Sequence, residues 1–369
     1  RALKAYIAHV WPEFDWDTAF ANFFAEYSLT CKVEAFEKTR ALEMVARCVV
    51  ETGTATPSTV FQDEKVLVLD HGVTKVRNAN LQSKGALTLT QALAFSRNVV
   101  FSKVALGLGA TTQSAAERLY QTWERFGIGA RTGVDLAGEN QGLTNDPTRT
   151  RWRQIDLANA SFGQGVATTL MQLAVAYSAM VNGGVLVRPR IVSAVNGVEV
   201  PITTRGIATT PEVSKSLIQM TAAAPKIVPL YARLASLPSY AYGGKTGTAE
   251  IWLKDANGGK GAFDDAHYNF TFVGWFGRTA PEYVIAVVLR HATPVITGPG
   301  HMTNAIESYE LFRRVAQDMI ALYGIAPAQA LVTRGSDEGI DLLLRTFCRA
   351  VASVQEEFGA LSFTVSSTS

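Results

Sequence analysis

The chain has 369 residues, 47% of them hydrophobic and 18% charged, with a formal net charge of +2. That much apolar sequence can bury a sizeable core and excludes disorder of the whole chain, while mixed charges that nearly cancel give no basic field to attract nucleic acid. Cys31, Cys48 and Cys348 lie far apart, with no Cys-x-x-Cys and no histidine spacing suited to zinc, so no metal and no disulfide framework is expected and at least one thiol is free.

In chain order, residues 1–50 read mostly as helix: Pro12 interrupts an early segment, and Trp16, Phe20, Phe23, Phe24 and Tyr27 recur at helical spacing as a packing face. Residues 52–86 are turn-rich, with the apolar run 66–69 fitting a small strand. Residues 87–101 form an apolar, helix-compatible segment that carries Ser96-Arg97-Asn98, a hydroxyl and an amide placed to face one pocket. A further helix over 113–127 is ended by Gly127, and the helical pattern over 152–182 is interrupted by Gly163-Gln164-Gly165 and stopped by Gly183-Gly184. Residues 185–203 are strand-like, and 211–224 are helical.

Next comes Tyr242-Gly243-Gly244-Lys245-Thr246-Gly247-Thr248-Ala249-Glu250-Ile251-Trp252, which joins a cation, two hydroxyls and three glycines to a β-prone run. Glycines beside Lys245 and between the threonines leave the backbone uncovered, so an extended peptide could pair with this strand while Lys245, Thr246 and Thr248 hold a terminal carboxylate. Residues 270–276 and 283–289 make a hairpin around 277–282, giving an antiparallel sheet of at least three strands with Lys245 near one edge. A helix over 303–323 could cover that sheet. A second candidate over 339–358 places Leu342, Leu343, Phe347, Val351 and Val354 on one side, and the Ser/Thr-rich tail from Ser362 reads as frayed.

Ser-x-Asn and Lys-Thr-Gly are two of the three motifs of serine acyltransferases that react with β-lactams. Together with Thr88-Leu89-Thr90-Gln91-Ala92-Leu93, Arg125-Phe126-Gly127-Ile128-Gly129, Ala160-Ser161-Phe162-Gly163-Gln164-Gly165 and Asn182-Gly183-Gly184-Val185, they make residues 36–323 resemble the transpeptidase domain of class B penicillin-binding proteins. The resemblance implies an α/β fold of the α+β type, an antiparallel sheet flanked by helices plus an all-helical lobe. It implies a helical segment over 1–35, a transpeptidase-like domain over 36–325 and a helical extension over 326–369. It also implies peptidoglycan stem peptides ending in D-Ala-D-Ala, or β-lactams, as ligands, no cofactor, and cell-wall synthesis proteins of the membrane as partners. Ser96 would relay a proton, Asn98 hold the substrate backbone, and Lys245, Thr246, Gly247 and Thr248 bind the carboxylate.

Such proteins act on the extracytoplasmic side of the cell envelope behind an N-terminal anchor. No run of 18 apolar residues exists here, and the start at Arg1 without methionine, signal peptide or anchor points to further sequence upstream. The third motif, Ser-x-x-Lys, is not found where the family has it: Thr39 stands at the nucleophile position and Leu42 at the position of the lysine base. Leucine accepts no proton, and a threonine hydroxyl is unreactive without a base, so catalysis is expected to be crippled. Ser28 and Lys32 are one residue too far apart in sequence to replace the pair. Three readings stay open: a transpeptidase-like domain degenerate at its nucleophile, an active serine-type D,D-transpeptidase whose nucleophile is missing from this sequence, and a non-catalytic scaffold in a cell-envelope complex.

Overall fold

The computed structural model describes residues 50–253, 261–298, 301–303, 307–327 and 361–366. Thr39, Leu42, Ser28 and Lys32, the aromatic helical face before residue 50 and the candidate helix 339–358 lie outside the described residues.

The described chain opens with β1 (Val60–Asp63), β2 (Val66–Leu69), β3 (Thr74–Arg77) and β4 (Gly85–Thr88), in the antiparallel pairs β1–β4 and β2–β3. Thr88 starts α1 (Leu89–Ala94) with a capping box: its hydroxyl accepts from the Gln91 N–H, and the Gln91 side chain accepts from the Thr88 N–H. The segment around Ser96 is not the single helix its composition allows. It divides into α1 and α2 (Asn98–Leu106), because α1 ends in a Schellman turn. In that turn the Ser96 N–H bonds to the Leu93 carbonyl at 3.1 Å and the Arg97 N–H to the Ala92 carbonyl at 3.0 Å, with Ser96 at φ +53°.

The helical lobe continues with α3 (Thr112–Arg125), α4 (Gln154–Ser161) and α5 (Leu170–Val181), with capping boxes at Thr111 and Thr169 starting α3 and α5. Four short strands follow, β5 (Val185–Val187), β6 (Ala194–Val195), β7 (Val198–Glu199) and β8 (Thr204–Ile207), and then α6 (Pro211–Ile227) and α7 (Pro229–Leu234).

The main sheet contains β9 (Ala241–Leu253), β10 (Ala262–Gly277) and β11 (Tyr283–Ala292). Later in the chain come β12 (Val295–Gly298), β13 (His301–Thr303), α8 (Ser308–Tyr323) and β14 (Leu361–Ser366), the last a fourth strand of the same sheet. All its pairings are antiparallel and its order is β14-β11-β10-β9, so among the described residues the strand with Lys245 is an edge, in keeping with the expected place of Lys245 near one. Two expectations change. The helix expected from 303 begins at Ser308, and the tail expected to fray pairs with β11, Ser366 opposite Tyr283 and Leu361 opposite Val288. Leu361, Phe363 and Val365 alternate with Ser362, Thr364 and Ser366, a period-two pattern whose polar half disguises a strand.

Strand alternation divides the core. Val273, Trp275, Val284 and Ala286 pack with the helical lobe, whereas Phe272, Phe276, Ile285 and Val287 pack with Tyr309, Phe312, Val315 and Met319 of α8. The result is three layers, lobe, sheet and covering helix, in the mixed class expected, and each buried phenylalanine contributes about 1.5–3 kcal/mol. Among the described residues no helix is long and apolar enough to cross a membrane.

Candidate ligand-binding cleft

Lys245 pairs with Val273 on β10 and is only 1% exposed. An ammonium so buried needs hydrogen-bond partners. It donates to Ser96 Oγ and, at 2.9 Å, to the Thr246 carbonyl, and it stands 3.5 Å from Thr246 Oγ1. The bond to Ser96 joins the sheet edge to the helical lobe and fixes where the two meet. Asn98, the first residue of α2, is buried and donates through Nδ2 to the Arg77 carbonyl at 3.0 Å. Its Oδ1 is buried and has no hydrogen-bond partner among the described residues.

The turn that presents Ser96 is anchored from below. Arg97 and Asp63 form a buried ion pair, Nε to Oδ2 at 2.9 Å. Asp63 also accepts from Asn78 Nδ2 at 2.9 Å and from the Lys84 N–H at 2.8 Å. Arg97 reaches further, to Asn80 Oδ1 at 3.1 Å and to the Gln82 carbonyl, while Asn78 Oδ1 receives the Val99 N–H in the first turn of α2. The middle residue of the Ser-x-Asn triplet is therefore bonded on the side of Asp63, Asn80 and Gln82 and holds the two outer residues in place.

On the other side, Thr246 Oγ1 and the Tyr231 hydroxyl are 2.8 Å apart. Tyr231 packs on Tyr309, ring centroids 4.8 Å apart, and Tyr309 packs edge-on to Phe272. Burial pushes the Tyr231 phenol above its ordinary pKa, the Thr246 hydrogen bond partly offsets this, and Glu307 adds to the rise, so the phenol is neutral at physiological pH. Burial also raises the Tyr309 phenol, with Glu307 the next cause. Gly247 and Thr248 pair with Thr271 and Phe270. Beyond them, Gln164 in the Gly163–Gly165 turn donates to Glu250 Oε2 at 3.2 Å, which brings the lobe against the far end of β9.

Ser96, Asn98, Lys245 and Thr246 thus stand where lobe and sheet meet, with Gly247 and Thr248 continuing along the edge. Thr39 lies outside the described residues. The glycines before Lys245 have a different cause from the one their sequence suggests. A Cβ at Gly243 would stand 2.8 Å from the Ala222 nitrogen of α6, and one at Gly244 would stand 2.5 Å from the Phe272 ring. Close packing requires both, while among the described residues the outer side of β9 pairs with no strand. Sequence reasoning missed Asp63, Asn78 and Tyr231. Arg97 was a signal for an acidic partner because it stands at the centre of the triplet, but nothing linear identifies which acid.

The sequence matches the family described as penicillin binding protein transpeptidase domain over residues 44–315. It is 32% identical over 269 residues to the penicillin-binding protein PbpB of Mycobacterium tuberculosis, covering 70% of this chain and 38% of that protein. It is 28% identical over 249 residues to the probable peptidoglycan D,D-transpeptidase PenA of Neisseria meningitidis, covering 64% and 36%. The chain therefore spans well under half the length of these relatives. Among solved structures, penicillin-binding protein 3 of Mycobacterium tuberculosis in complex with ampicillin aligns with a TM-score of 0.62 at 27% identity, covering 85% of this chain and 66% of that one. The transpeptidase domain of Burkholderia pseudomallei penicillin-binding protein 3 aligns with a TM-score of 0.65 at 22% identity, covering 80% and 82%, a likeness of fold.

Proposed function

The chain belongs to the penicillin-binding protein transpeptidase family, and from that premise we propose that its cleft binds the D-Ala-D-Ala ends of peptidoglycan stem peptides, and β-lactams, without transpeptidation. In this reading Lys245, with Thr246 and Thr248 beside it, holds the ligand's terminal carboxylate, and the β9 edge pairs with its extended backbone. The unpartnered Asn98 Oδ1 accepts a ligand N–H, and Ser96 stays bonded to Lys245. The reading places the protein at the outer face of the cell membrane, where stem peptides and the cell-wall synthesis proteins are.

The observation that carries the reading is the bond between the Lys245 ammonium and Ser96 Oγ, which supports taking the two motifs as parts of one site. The proposed absence of turnover rests on Thr39-Arg40-Ala41-Leu42: a threonine at the nucleophile position, with leucine where the family has the lysine that takes up its proton. The family match begins at residue 44, just beyond this tetrad.

Calorimetry tests the binding. Lys245→Met keeps the side chain's bulk and removes its charge, and it should weaken binding of a D-Ala-D-Ala peptide by about 1.5–3 kcal/mol, the worth of a hydrogen bond to a charged group. Unchanged affinity, or no binding by the parent chain, would rule out the assigned cleft.

A further inference from the structure

We propose that Asp264, His267 and His291 bind one divalent transition-metal ion, best fitted by zinc, at the end of the sheet away from the β10–β11 turn. A donor atom from each of the three lies within 4.8 Å of the others. The linear spacing of the histidines hides this, because two irregularities in the ladders create it. On the β9 side, Phe263 pairs with Trp252 and Tyr268 with Glu250, so residues 264–267 bulge out opposite Ile251 alone. On the β11 side, Tyr268 pairs with Ala292 and Phe270 with Leu289, so Asn269 faces both Arg290 and His291. The two bulges bring the imidazoles together, ring centroids 5.6 Å apart.

The surroundings hold Asp264 and the His291 main chain. Asp264 Oδ1 accepts the N–H groups of Ala266 and His267, at 2.8 and 3.2 Å, leaving Oδ2 at 3.0 Å from His267 Nδ1. His291 sits in the left-handed region at φ +52°, its N–H bonded to the buried Asn269 Oδ1 at 3.1 Å. That conformation is uncommon outside glycine, histidine being one of the residues that adopt it most readily, and here a buried side chain holds it.

The donor set selects the ion. Two imidazoles and one carboxylate match zinc sites with three protein ligands and a fourth position for water, whereas magnesium and calcium prefer oxygen donors. Tetrahedral zinc bonds of about 2.0–2.1 Å place donors about 3.4 Å apart, so side-chain rotations of the exposed His291 and half-buried Asp264 and His267 close the site. A bound ion would tie β10 to β11 where both leave regular pairing. The site is separate from the cleft: His267 and Val273, the partner of Lys245, are roughly 20 Å apart along the strand.

Zinc chloride titrated into the chelator-stripped full chain should bind at one equivalent, and excess magnesium should not displace it. His267→Ala, Asp264→Asn and His291→Asn should each weaken binding about tenfold or more. His71→Asn, at a histidine on the β2–β3 turn, should leave it unchanged. His291→Asn decides, because an exposed asparagine tolerates the left-handed backbone and leaves the fold intact. Cobalt(II) in place of zinc should give the visible bands of a low-coordinate site in the parent chain, and His291→Asn should lose them. No zinc binding by the parent, or undiminished binding after His291→Asn, would overturn the proposal.

Discussion

Ser96 presents its hydroxyl to Lys245 from a helix-terminal position that glycine usually fills, at φ +53°. Ser96→Ala and Ser96→Gly both remove the hydroxyl, but only glycine relieves the left-handed backbone. The glycine variant should therefore be about 1 kcal/mol more stable than the alanine variant in urea denaturation. Equal stabilities would mean the turn stores no strain. Beneath it, Asp63→Asn would leave the Arg97 guanidinium buried without its counter-charge, a loss of about 3–5 kcal/mol measurable in the same way. A loss below about 1 kcal/mol would show that the pair behaves like a surface ion pair and does not hold the turn. The meeting of Ser96 with Lys245 was legible in the sequence because two short motifs, each weak alone, occur in order among the family's flanking segments. Asp63, Asn78 and Tyr231 were not, because their roles come from contacts between segments distant in sequence.

Among the elements, β10 shows most directly how packing limits sequence. At Gly274 a Cβ would stand 2.5 Å from the Phe272 ring, 2.7 Å from the Phe312 ring and 2.9 Å from the Gly243 carbonyl oxygen. Gly274→Ala should cost about 1–3 kcal/mol, since α8 and the β9 backbone at Gly243 must shift to make room for the methyl group. A melting temperature equal to the parent's would show that α8 is free to shift. The edge position of β9, the β10–β11 hairpin and the capped helices follow from alternation, turn residues and Thr-x-x-Gln pairs that sequence displays locally. The break at Ser96 does not, because a serine in a left-handed turn has no distinctive signature. Nor does β14, whose partner β11 ends about 70 residues earlier, a pairing set by tertiary contact.

In the whole molecule the candidate site lies where lobe and sheet meet, with the helical lobe supplying Ser96 and Asn98 and the sheet edge supplying Lys245. Its family was legible because several segments match in order. The proposed lack of turnover rests on Thr39 and Leu42. Thr39→Ser alone should not restore acylation, since no base is gained, whereas Thr39→Ser with Leu42→Lys should act as a unit and restore more than the two changes separately. Labelling by the double variant no greater than the sum of the single ones would argue against that pairing. The central claim, a cleft that binds without acylating, is tested most directly by intact-mass spectrometry of the unaltered chain after incubation with benzylpenicillin at concentrations where calorimetry shows the cleft filled. The account predicts the mass of the free chain; rapid, stoichiometric addition of one penicilloyl group, mapped to a serine or to Thr39, would contradict it.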